Sequence, residues 1–280
     1  MSCKVAIVVL HYESTKDTIE CLDSLIQYID EDKVRIIVVD NGSKIRLIEQ
    51  IADKYSDIDQ IEIMRSDENL GFSKGNNLGF LYAKRQYSPE IIILSNNDIV
   101  YDQKEFIDKL LYEYKRTQFD VAGPKIMSLI DGKNQNPVGL VYHSAKEVKK
   151  RIRKFRILGF LSKWDLDSKI KSFAANEIPE YEATGDYQLH GACMFFANRY
   201  IQEHDGLYDG TFMYGEEFIL KHIVTKEKMK MVYLPDLAVK HKEGASTKAF
   251  WGKGKKQRQF FYKWSVDSLT QLWKMMKGNK

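Results

Sequence analysis

Three carboxylates are placed where they could do chemistry. Asp98 follows an apolar run that ends at Leu94, and Glu216 and Glu217 are adjacent near the start of a predicted helix over 215–227. A hard divalent cation takes oxygen ligands and commonly joins a carboxylate to a diphosphate. A carboxylate close to a hydroxyl group can also remove its proton. We therefore predict a metal site at Asp98 and a general base at one of the two glutamates, because neighbours on a helix point about 100° apart.

Each of these residues also has a purely structural interpretation. Asp98 would occupy the same position in any loop after a strand, and acids in a first helical turn stabilise the helix dipole. His241 follows a short apolar segment, where an imidazole ligates a metal, contacts phosphate or serves the fold alone. Asp40-Asn-Gly-Ser43 combines a turn signal with an acid able to accept hydrogen bonds from a base or ribose.

The segment Asn69–Asn77 contains two glycines and Lys74. Its backbone amides and the lysine charge could face a phosphate group. The spacing matches neither the P-loop nor the dinucleotide fingerprint. Taken alone, this segment is explained more simply as a structural turn.

The elements around these residues alternate in type. Apolar runs predict strands, and apolar residues at helical spacing predict helices between them. The predicted strands are Val5–Leu10, Val34–Val39, Ile61–Arg65 and Glu90–Leu94, and the predicted helices are 14–29, 44–55 and 76–85. This order predicts a parallel, doubly wound sheet, in which ligands bind beyond the carboxyl ends of the strands. Three polar clusters lie at such ends: His11–Glu13, Asp40–Ser43 and Asn96–Asp98.

The second half of the chain is less regular. It predicts helices over 103–116 and 215–227 and a strand over 230–234, with the segment Val121–Pro124 after the first helix and ordered structure again over 189–198. Residues 130–183 are polar, basic and poorly periodic, so we expect loops with short strands or helices, and a mobile flap is one interpretation. The tail 250–280 places aromatic residues among lysines at roughly helical spacing. It is predicted either to pack on the domain or to lie on a membrane surface.

Composition sets the class of protein. The chain has 280 residues, which fits one large α/β domain or two small ones. Hydrophobic residues make up 44% and charged residues 29%, as is typical of globular proteins. Three separated cysteines indicate neither a disulfide framework nor a zinc site and favour a reducing cytoplasm. Neither a signal peptide nor a membrane-spanning apolar run is evident.

The net charge is +4, but residues 146–156 carry seven basic residues and one acid. Such a cluster indicates an anionic membrane, phosphates, nucleic acid or merely a solvated loop.

In their order along the chain, these segments resemble the family 2 glycosyltransferases with the GT-A fold. The resemblance runs from about residue 4 to residue 247 and includes Val8–Tyr12, Val38–Ser43, Asn69–Asn77, Leu94–Asp98, Gly191–Phe196, Tyr214–Glu217 and His241. The block Asn69–Asn77 is similar to that of the branch with bacterial rhamnosyltransferases and galactofuranosyltransferases. The sequence departs from the family in two places: Asn96 replaces the first acid of the metal motif, and Glu217 replaces the usual aspartate base.

The resemblance implies a role for each motif residue. Tyr12 and Glu13 flank the base, Asp40 binds the pyrimidine, and Asp98 and His241 hold Mn²⁺ or Mg²⁺. Glu217 or Glu216 acts as the base. The residues implied on the nucleotide-sugar side are Leu10, Tyr12, Glu13, Asp40, Asn69, Lys74, Asn76, Asn96, Asn97 and Asp98, and those on the acceptor side are His190, Gly191 and Tyr214.

The resemblance implies an inverting transfer of sugar from UDP or dTDP to a saccharide or lipid-linked saccharide, in bacterial surface polysaccharide synthesis. We expect a donor-binding half over 1–125, an acceptor-binding half over 126–247 and a tail from 248. The predicted location is cytoplasmic or peripheral at the inner membrane face. The oligomeric state, a homodimer included, stays open.

Two alternatives are retained, a sugar-phosphate nucleotidyltransferase and a non-catalytic binding module for a sugar or lipid carrier. The first would be expected to have a glycine-rich loop after the first strand, where this chain has Leu10–Ser14 without glycine. A nucleic-acid partner is not indicated, because no recognised nucleic-acid module accompanies the basic clusters.

Overall fold

The protein is an α/β structure, seen in a computed structural model that describes residues 3–26, 33–170, 186–243 and 254–278. The strands are β1 (Val5–His11), β2 (Val34–Asn41), β3 (Ile61–Ser66), β4 (Ile91–Asn96), β5 (Ile99–Val100), β6 (Val121–Ser128), β7 (Cys193–Ala197) and β8 (Met231–His241). The helices are α1 (Thr15–Ile26), α2 (Ile45–Lys54), α3 (Phe72–Tyr87), α4 (Phe106–Thr117), α5 (Ala145–Leu161), α6 (Asn198–Glu203), α7 (Glu216–Lys226) and α8 (Lys255–Met276).

One eight-stranded sheet in the order β3-β2-β1-β4-β7-β6-β8-β5 forms the centre of the protein. The strands β3, β2, β1 and β4 are parallel, as the alternating pattern predicts. β7 is antiparallel to both of its neighbours, β4 and β6. The sequence predicts ordered structure over 189–198 but not the direction of β7, because direction depends on how the chain returns to the sheet.

Two apolar layers cover the sheet, as expected for strands that are hydrophobic on both faces. On one face, alternate residues of β1 such as Val5 and Ile7 pack with α1, α2 and α4. On the other face, Ala6 and Val8 pack with α3, α6 and α7. Among the helices of the described ranges, none combines the length and apolar character that a membrane span requires.

The expectation of loops with short strands or helices over 130–183 is wrong at Ala145–Leu161, where α5 forms a 17-residue helix. Val148, Ile152 and Phe155 lie at helical spacing and are buried, while the other positions are largely basic. Such a narrow apolar stripe is difficult to detect in sequence, since its partner on α8 lies about a hundred residues further along. Residues 171–183 of this region lie outside the described residues.

Two further predictions change in detail. The turn predicted over Asn69–Asn77 ends early, because α3 begins at Phe72. The tail helix α8 packs on the domain through α5 and α7, with Leu269 and Leu272 buried against Ile219. The predicted boundary at 247 lies outside the described residues, as do residues 27–29 of the first predicted helix. The division at residue 125 stays a prediction.

Candidate active site

A cavity of about 330 Å³ opens at the edge of the sheet where β1, β2 and β4 end. The strand register pairs Leu10 with Asn96 and His11 with Asp40, which brings these strand ends together. Most of the residues that the sequence singles out line the cavity. They are Leu10, Tyr12, Asn69, Asn96, Asn97, Asp98, His190, Gly191, Tyr214, Glu216, Glu217 and His241. The volume lies within the range of about 300–1,000 Å³ found for small-molecule sites.

Asp98 and His241 form a buried pair in this cavity. Nε2 of His241 lies 3.3 Å from Oδ1 of Asp98. Nδ1 of His241 lies 2.7 Å from Oε1 of Gln135. Because an amide oxygen only accepts, the Nδ1–H donates to Gln135 and Nε2 is directed at Asp98. A neutral imidazole in this orientation presents a nitrogen ligand beside a carboxylate oxygen, a pair of donors that fits a divalent cation.

Backbone pairing fixes the position of this pair. β5 follows Asp98 directly and aligns Ile99 with His241 of β8. The amide of Lys242 also donates to the carbonyl oxygen of Asp98 at 3.0 Å. The Lys242 ammonium binds Asp17 of α1 at 2.7 Å. The two candidate ligands, distant in sequence, are therefore held by adjacent antiparallel strands.

Glu216 and Glu217 begin α7 and both reach the cavity. Burial, and then the neighbouring Glu217, raise the pKa of Glu216 to about 8. Burial also raises the pKa of Glu217, while backbone amides such as that of Gly191 bond to its carboxylate and oppose the rise. Because each acid opposes the ionisation of the other, one of them keeps its proton near neutral pH. The amide contacts favour the negative charge on Glu217 and the proton on Glu216.

His190 lines the same cavity and lies beside His241. Its ring centroid is 5.7 Å from that of His241, and burial, followed by the charge of His241, lowers the pKa of His190 to about 4. Nδ1 of His190 accepts a hydrogen bond from the amide of Ala192 at 3.2 Å. His190 is therefore neutral near pH 7 and carries its proton on Nε2, which makes it a hydrogen-bond donor.

Asn41 is a site residue that sequence reasoning missed. Its Nδ2 donates to Oδ1 of Asn69 at 3.2 Å and to the carbonyl of Gly71 at 3.0 Å, and its Oδ1 accepts from the amide of Leu70 at 3.0 Å. Gly71 has a φ of 84°, and a Cβ there would lie 2.2 Å from the carbonyl oxygen of Phe212. Asn41 therefore holds this loop as a wall of the cavity. Its place beside Asp40 at a strand end was the available signal.

Asp40, which the resemblance places on the pyrimidine, does not line the cavity. Its side chain is fully buried, with Oδ2 2.6 Å from Arg65 and Oδ1 accepting from the amide of Ser43 at 3.0 Å. Both oxygens are thus bonded to protein groups. Its contact with a nucleotide stays a prediction.

Glu13, Lys74 and Asn76 also lie outside the cavity lining. Glu13 accepts from the amide of Lys44 at 3.3 Å. Asn76 is buried and donates to the carbonyl of Phe72 within α3 at 3.0 Å, and Lys74 is exposed. The sequence predicted a turn over Asn69–Asn77 and a helix only from residue 76. The helix in fact starts at Phe72 and directs the side chains of Lys74 and Asn76 away from the cavity.

The tail helix contributes to the cavity, which the sequence did not reveal. Phe260 of α8 lines it together with Phe212 and Met213. The Phe212 ring stacks on Trp264 of α8 with centroids 4.5 Å apart, and the Tyr214 and Phe260 centroids are 6.0 Å apart. Phe212, Tyr214 and Phe260 therefore form an aromatic wall of the cavity, with Trp264 packed against Phe212. The aromatic spacing of the tail was the available signal.

A separate group of potential metal ligands lies on the surface. Glu203, His204 and Glu227 place ligand atoms within 4.8 Å of one another. Arg199 binds Glu203 at 3.1 Å, and His204 is 2.7 Å from Glu227. The guanidinium opposes a cation there, so we interpret this group as a surface ion-pair network.

The fold and the cavity define an α/β protein of GT-A architecture, with its site beyond the strand ends. The model of Glycosyl transferase family 2 matches residues 6–175, and the chain belongs to this family. The predicted fold class is confirmed.

Two curated relatives are similar in sequence. The chain is 25% identical over 227 residues to the low-salt glycan biosynthesis hexosyltransferase Agl10 of Haloferax volcanii, which covers 81% of the chain and 63% of Agl10. It is 28% identical over 103 residues to the dTDP-rhamnosyl transferase RfbF of Shigella flexneri, covering 37% of the chain and 33% of RfbF. The chain thus spans less than two thirds of the length of these relatives.

Solved structures share the fold at low sequence identity. TarS 1–349 of S. aureus superposes with a TM-score of 0.54 at 17% identity, over 85% of this chain and 60% of TarS. GalNAc-T7 with UDP, GalNAc and Mn²⁺ superposes with a TM-score of 0.60 at 11% identity, over 93% of this chain and 47% of GalNAc-T7. These similarities concern the fold alone.

Proposed function

We propose that this protein is an inverting glycosyltransferase that moves a sugar from a nucleoside diphosphate to a saccharide acceptor. One observation carries the proposal: a single cavity at the strand ends contains the Asp98–His241 pair and the Glu216–Glu217 pair. The first pair suits a diphosphate with its cation, and the second suits a hydroxyl nucleophile. Sugar transfer needs both functions within one cavity.

In the proposed reaction Glu217 is the general base. Its carboxylate takes the proton of the acceptor hydroxyl while that oxygen bonds to the anomeric carbon. The bond between the anomeric carbon and the diphosphate oxygen breaks, and its electron pair leaves with the nucleoside diphosphate. Glu216 keeps its own proton because burial raises its pKa to about 8. A single displacement of this kind inverts the anomeric configuration.

A divalent cation, Mn²⁺ or Mg²⁺, fits the buried Asp98 carboxylate and the His241 nitrogen that faces it. When bound, it would neutralise negative charge on the diphosphate leaving group. Asp98 and His241 would hold the cation, and Gln135 would keep the imidazole in the ligating tautomer. With only one protein carboxylate in this pair, the donor diphosphate would supply several of the ligands.

The aromatic wall suits the acceptor. Tyr214 and Phe260 line the same cavity as Glu217, where a sugar ring could pack its C–H face on an aromatic ring. The neutral Nε2–H of His190 could donate to an acceptor or donor hydroxyl. RfbF is named as a dTDP-rhamnosyl transferase. A TarS structure contains UDP-GlcNAc, and the GalNAc-T7 structure contains UDP. We propose a UDP- or dTDP-sugar donor and a saccharide, free or lipid-linked, as acceptor in glycan synthesis.

Ligand-induced thermal stabilisation of the full chain tests donor binding. UDP- and dTDP-sugars would be added with Mn²⁺, Mg²⁺ or EDTA, and a bound ligand raises Tm by mass action. Release of the nucleoside diphosphate would be followed in the same samples. We expect one nucleotide series to raise Tm and to release its diphosphate only with metal.

Variants separate catalysis from binding. Glu217→Gln should abolish release while keeping the donor-induced rise in Tm, and Asp98→Ala should lose both. Asp236→Asn, which removes an exposed carboxylate outside the cavity, is the matched control and should behave like the parent protein. Donor binding without release by the parent protein under every condition would favour a binding module. Undiminished release by Glu217→Gln and Asp98→Ala would contradict the site.

A further inference from the structure

The exposed side of the segment 157–170 includes a group of large apolar side chains. Ile157, Phe160 and Trp164, at the end of α5 and in the turn after it, are 59%, 57% and 59% exposed. The rings of Phe160 and Trp164 are in edge contact, with centroids 4.9 Å apart. Leu166 and Ile170 are also exposed in the residues that follow. We refer to these five side chains as the apolar ridge.

The same segment has a strong net positive charge. Residues 145–170 include nine basic and three acidic residues, a net charge of +6 in a chain whose total is +4. Two of the three acids are engaged, since Arg258 of α8 forms salt bridges with both Asp165 and Asp167. The exposed charge around the apolar ridge is therefore strongly positive.

The arrangement of α5 separates this face from the core. Val148, Ile152 and Phe155 pack against α8, which leaves the opposite face to basic and apolar side chains. Lys150 and Arg153 precede Ile157, Phe160 and Trp164 at intervals of three and four residues, so they share one side of the helix. Basic residues thus occupy the first half of this face and the apolar ridge the second half.

We propose that the apolar ridge inserts into the interfacial layer of an anionic lipid bilayer, with the neighbouring lysines and arginines on the headgroup phosphates. Tryptophan and phenylalanine favour this layer, and basic side chains are attracted to anionic lipid. A second copy of this chain would bring two strongly positive faces together, which charge repulsion opposes. A phosphate ligand alone would give no reason to expose five large apolar side chains.

Aromatic contacts on the buried side of α5, the helix whose exposed side is the proposed membrane face, connect it to the cavity. The Phe261 ring of α8 lies 5.0 Å from that of Tyr214, which lines the cavity, and 5.5 Å from that of Phe155 on α5. Docking through α5 would bring the cavity close to the bilayer, which suits an acceptor that stays attached to a lipid. That last consequence rests on the proposed function, whereas membrane binding does not.

Sedimentation of the full chain with lipid vesicles tests the proposal without any catalytic readout. Vesicles would contain phosphatidylcholine alone or phosphatidylcholine with an equal part of phosphatidylglycerol. We expect binding to the anionic vesicles that weakens as salt is raised. The double variant Phe160→Ser/Trp164→Ser and the double variant Arg153→Glu/Arg156→Glu should each weaken binding at least about tenfold.

Tyr112→Ser is the matched control, because Tyr112 of α4 is 63% exposed and lies outside the ridge. It should bind as the parent protein does, and an unchanged Tm would show that each variant is folded. Equal binding of the parent protein and both double variants would overturn the proposal. A second result would also overturn it: the parent protein does not bind vesicles but forms a dimer, and the Phe160→Ser/Trp164→Ser variant is monomeric. The apolar ridge would then be a contact between two copies of the chain.

Discussion

Gly191 lies directly against the carboxylate of Glu217. A Cβ on Gly191 would stand 2.5 Å from Oε1 of Glu217, and the amide of Gly191 bonds to the same carboxylate. The missing side chain makes room for the acid, and the amide stabilises its negative charge. A residue just before β7 therefore positions the proposed base at the start of α7.

Gly191→Ala should lower kcat by about a hundredfold, because a methyl group would push the Glu217 carboxylate from its place and small displacements of a catalytic group are costly. The donor-induced rise in Tm should be unchanged, since Asp98 and His241 are untouched. Steady-state kinetics and thermal shifts measure both effects. Gly159→Ala on α5 is the control, because its Cβ would meet Tyr262 at an ordinary 3.4 Å. Full activity of Gly191→Ala would show that the contact is unimportant.

The two glutamates should differ in their effect on rate. Glu217→Gln should lower kcat by about 10²–10⁴-fold, the usual loss for a general base. Glu216→Gln should retain most of the activity, because a neutral amide resembles the protonated acid that burial favours there. Single-turnover rates at saturating donor would measure the difference. The reverse order of the two variants would assign the base to Glu216.

Glu216→Gln should also stabilise the protein, and increasingly so as pH rises from 5 to 8. The pKa of Glu216 is raised from its ordinary value of 4.5 to about 8 in the folded state. Between these two pH values the folded protein therefore binds more protons than the unfolded protein. Stability contributed by this group is therefore lost as pH rises through that window, at about 1.4 kcal/mol per pKa unit of difference. Denaturant unfolding at several pH values measures the effect. A variant whose stability advantage is independent of pH would contradict this assignment.

Gln135 should affect the affinity for the metal ion without being one of its ligands. Gln135→Leu removes the acceptor that is 2.7 Å from Nδ1 of His241, so the imidazole loses its fixed tautomer. We expect the affinity for Mn²⁺ in the presence of nucleotide to fall by about 10–100-fold, and His241→Ala to abolish it. Calorimetric titration with Mn²⁺ tests both. Gln103→Leu, outside the cavity, should bind Mn²⁺ normally.

The tail helix should be part of the cooperative fold. Leu272 of α8 is 1% exposed and packs with residues of α5 and α7. Leu272→Ala should lower the free energy of unfolding by about 2–5 kcal/mol, the usual loss for a buried leucine. Thermal and denaturant unfolding measure it, with the exposed Lys274→Ala as control. A small loss, comparable to that of the control, would mean that α8 docks only weakly.

The strands and the polar groups at their ends were predictable from sequence. Four apolar runs separated by helical patterns indicated β1 to β4, and polar residues after β1, β2 and β4 indicated the cavity edge. The pattern failed at α5, where a narrow apolar stripe lies among basic residues. The local pattern also did not show that α3 begins at Phe72 or that Lys74 and Asn76 lie outside the cavity lining. Their contact with a nucleotide stays a prediction.

By itself the sequence determined the kinds of group available and the edge at which they meet. Continuous apolar runs and helical apolar spacing depend on local geometry, and consecutive parallel strands bring their carboxyl ends together. Only the tertiary structure decided that Gln135 orients His241, that Gly191 makes room for Glu217 and that Phe260 of the tail closes the cavity. Those contacts join residues tens to hundreds of positions apart, and their formation depends on how the layers pack rather than on any local pattern.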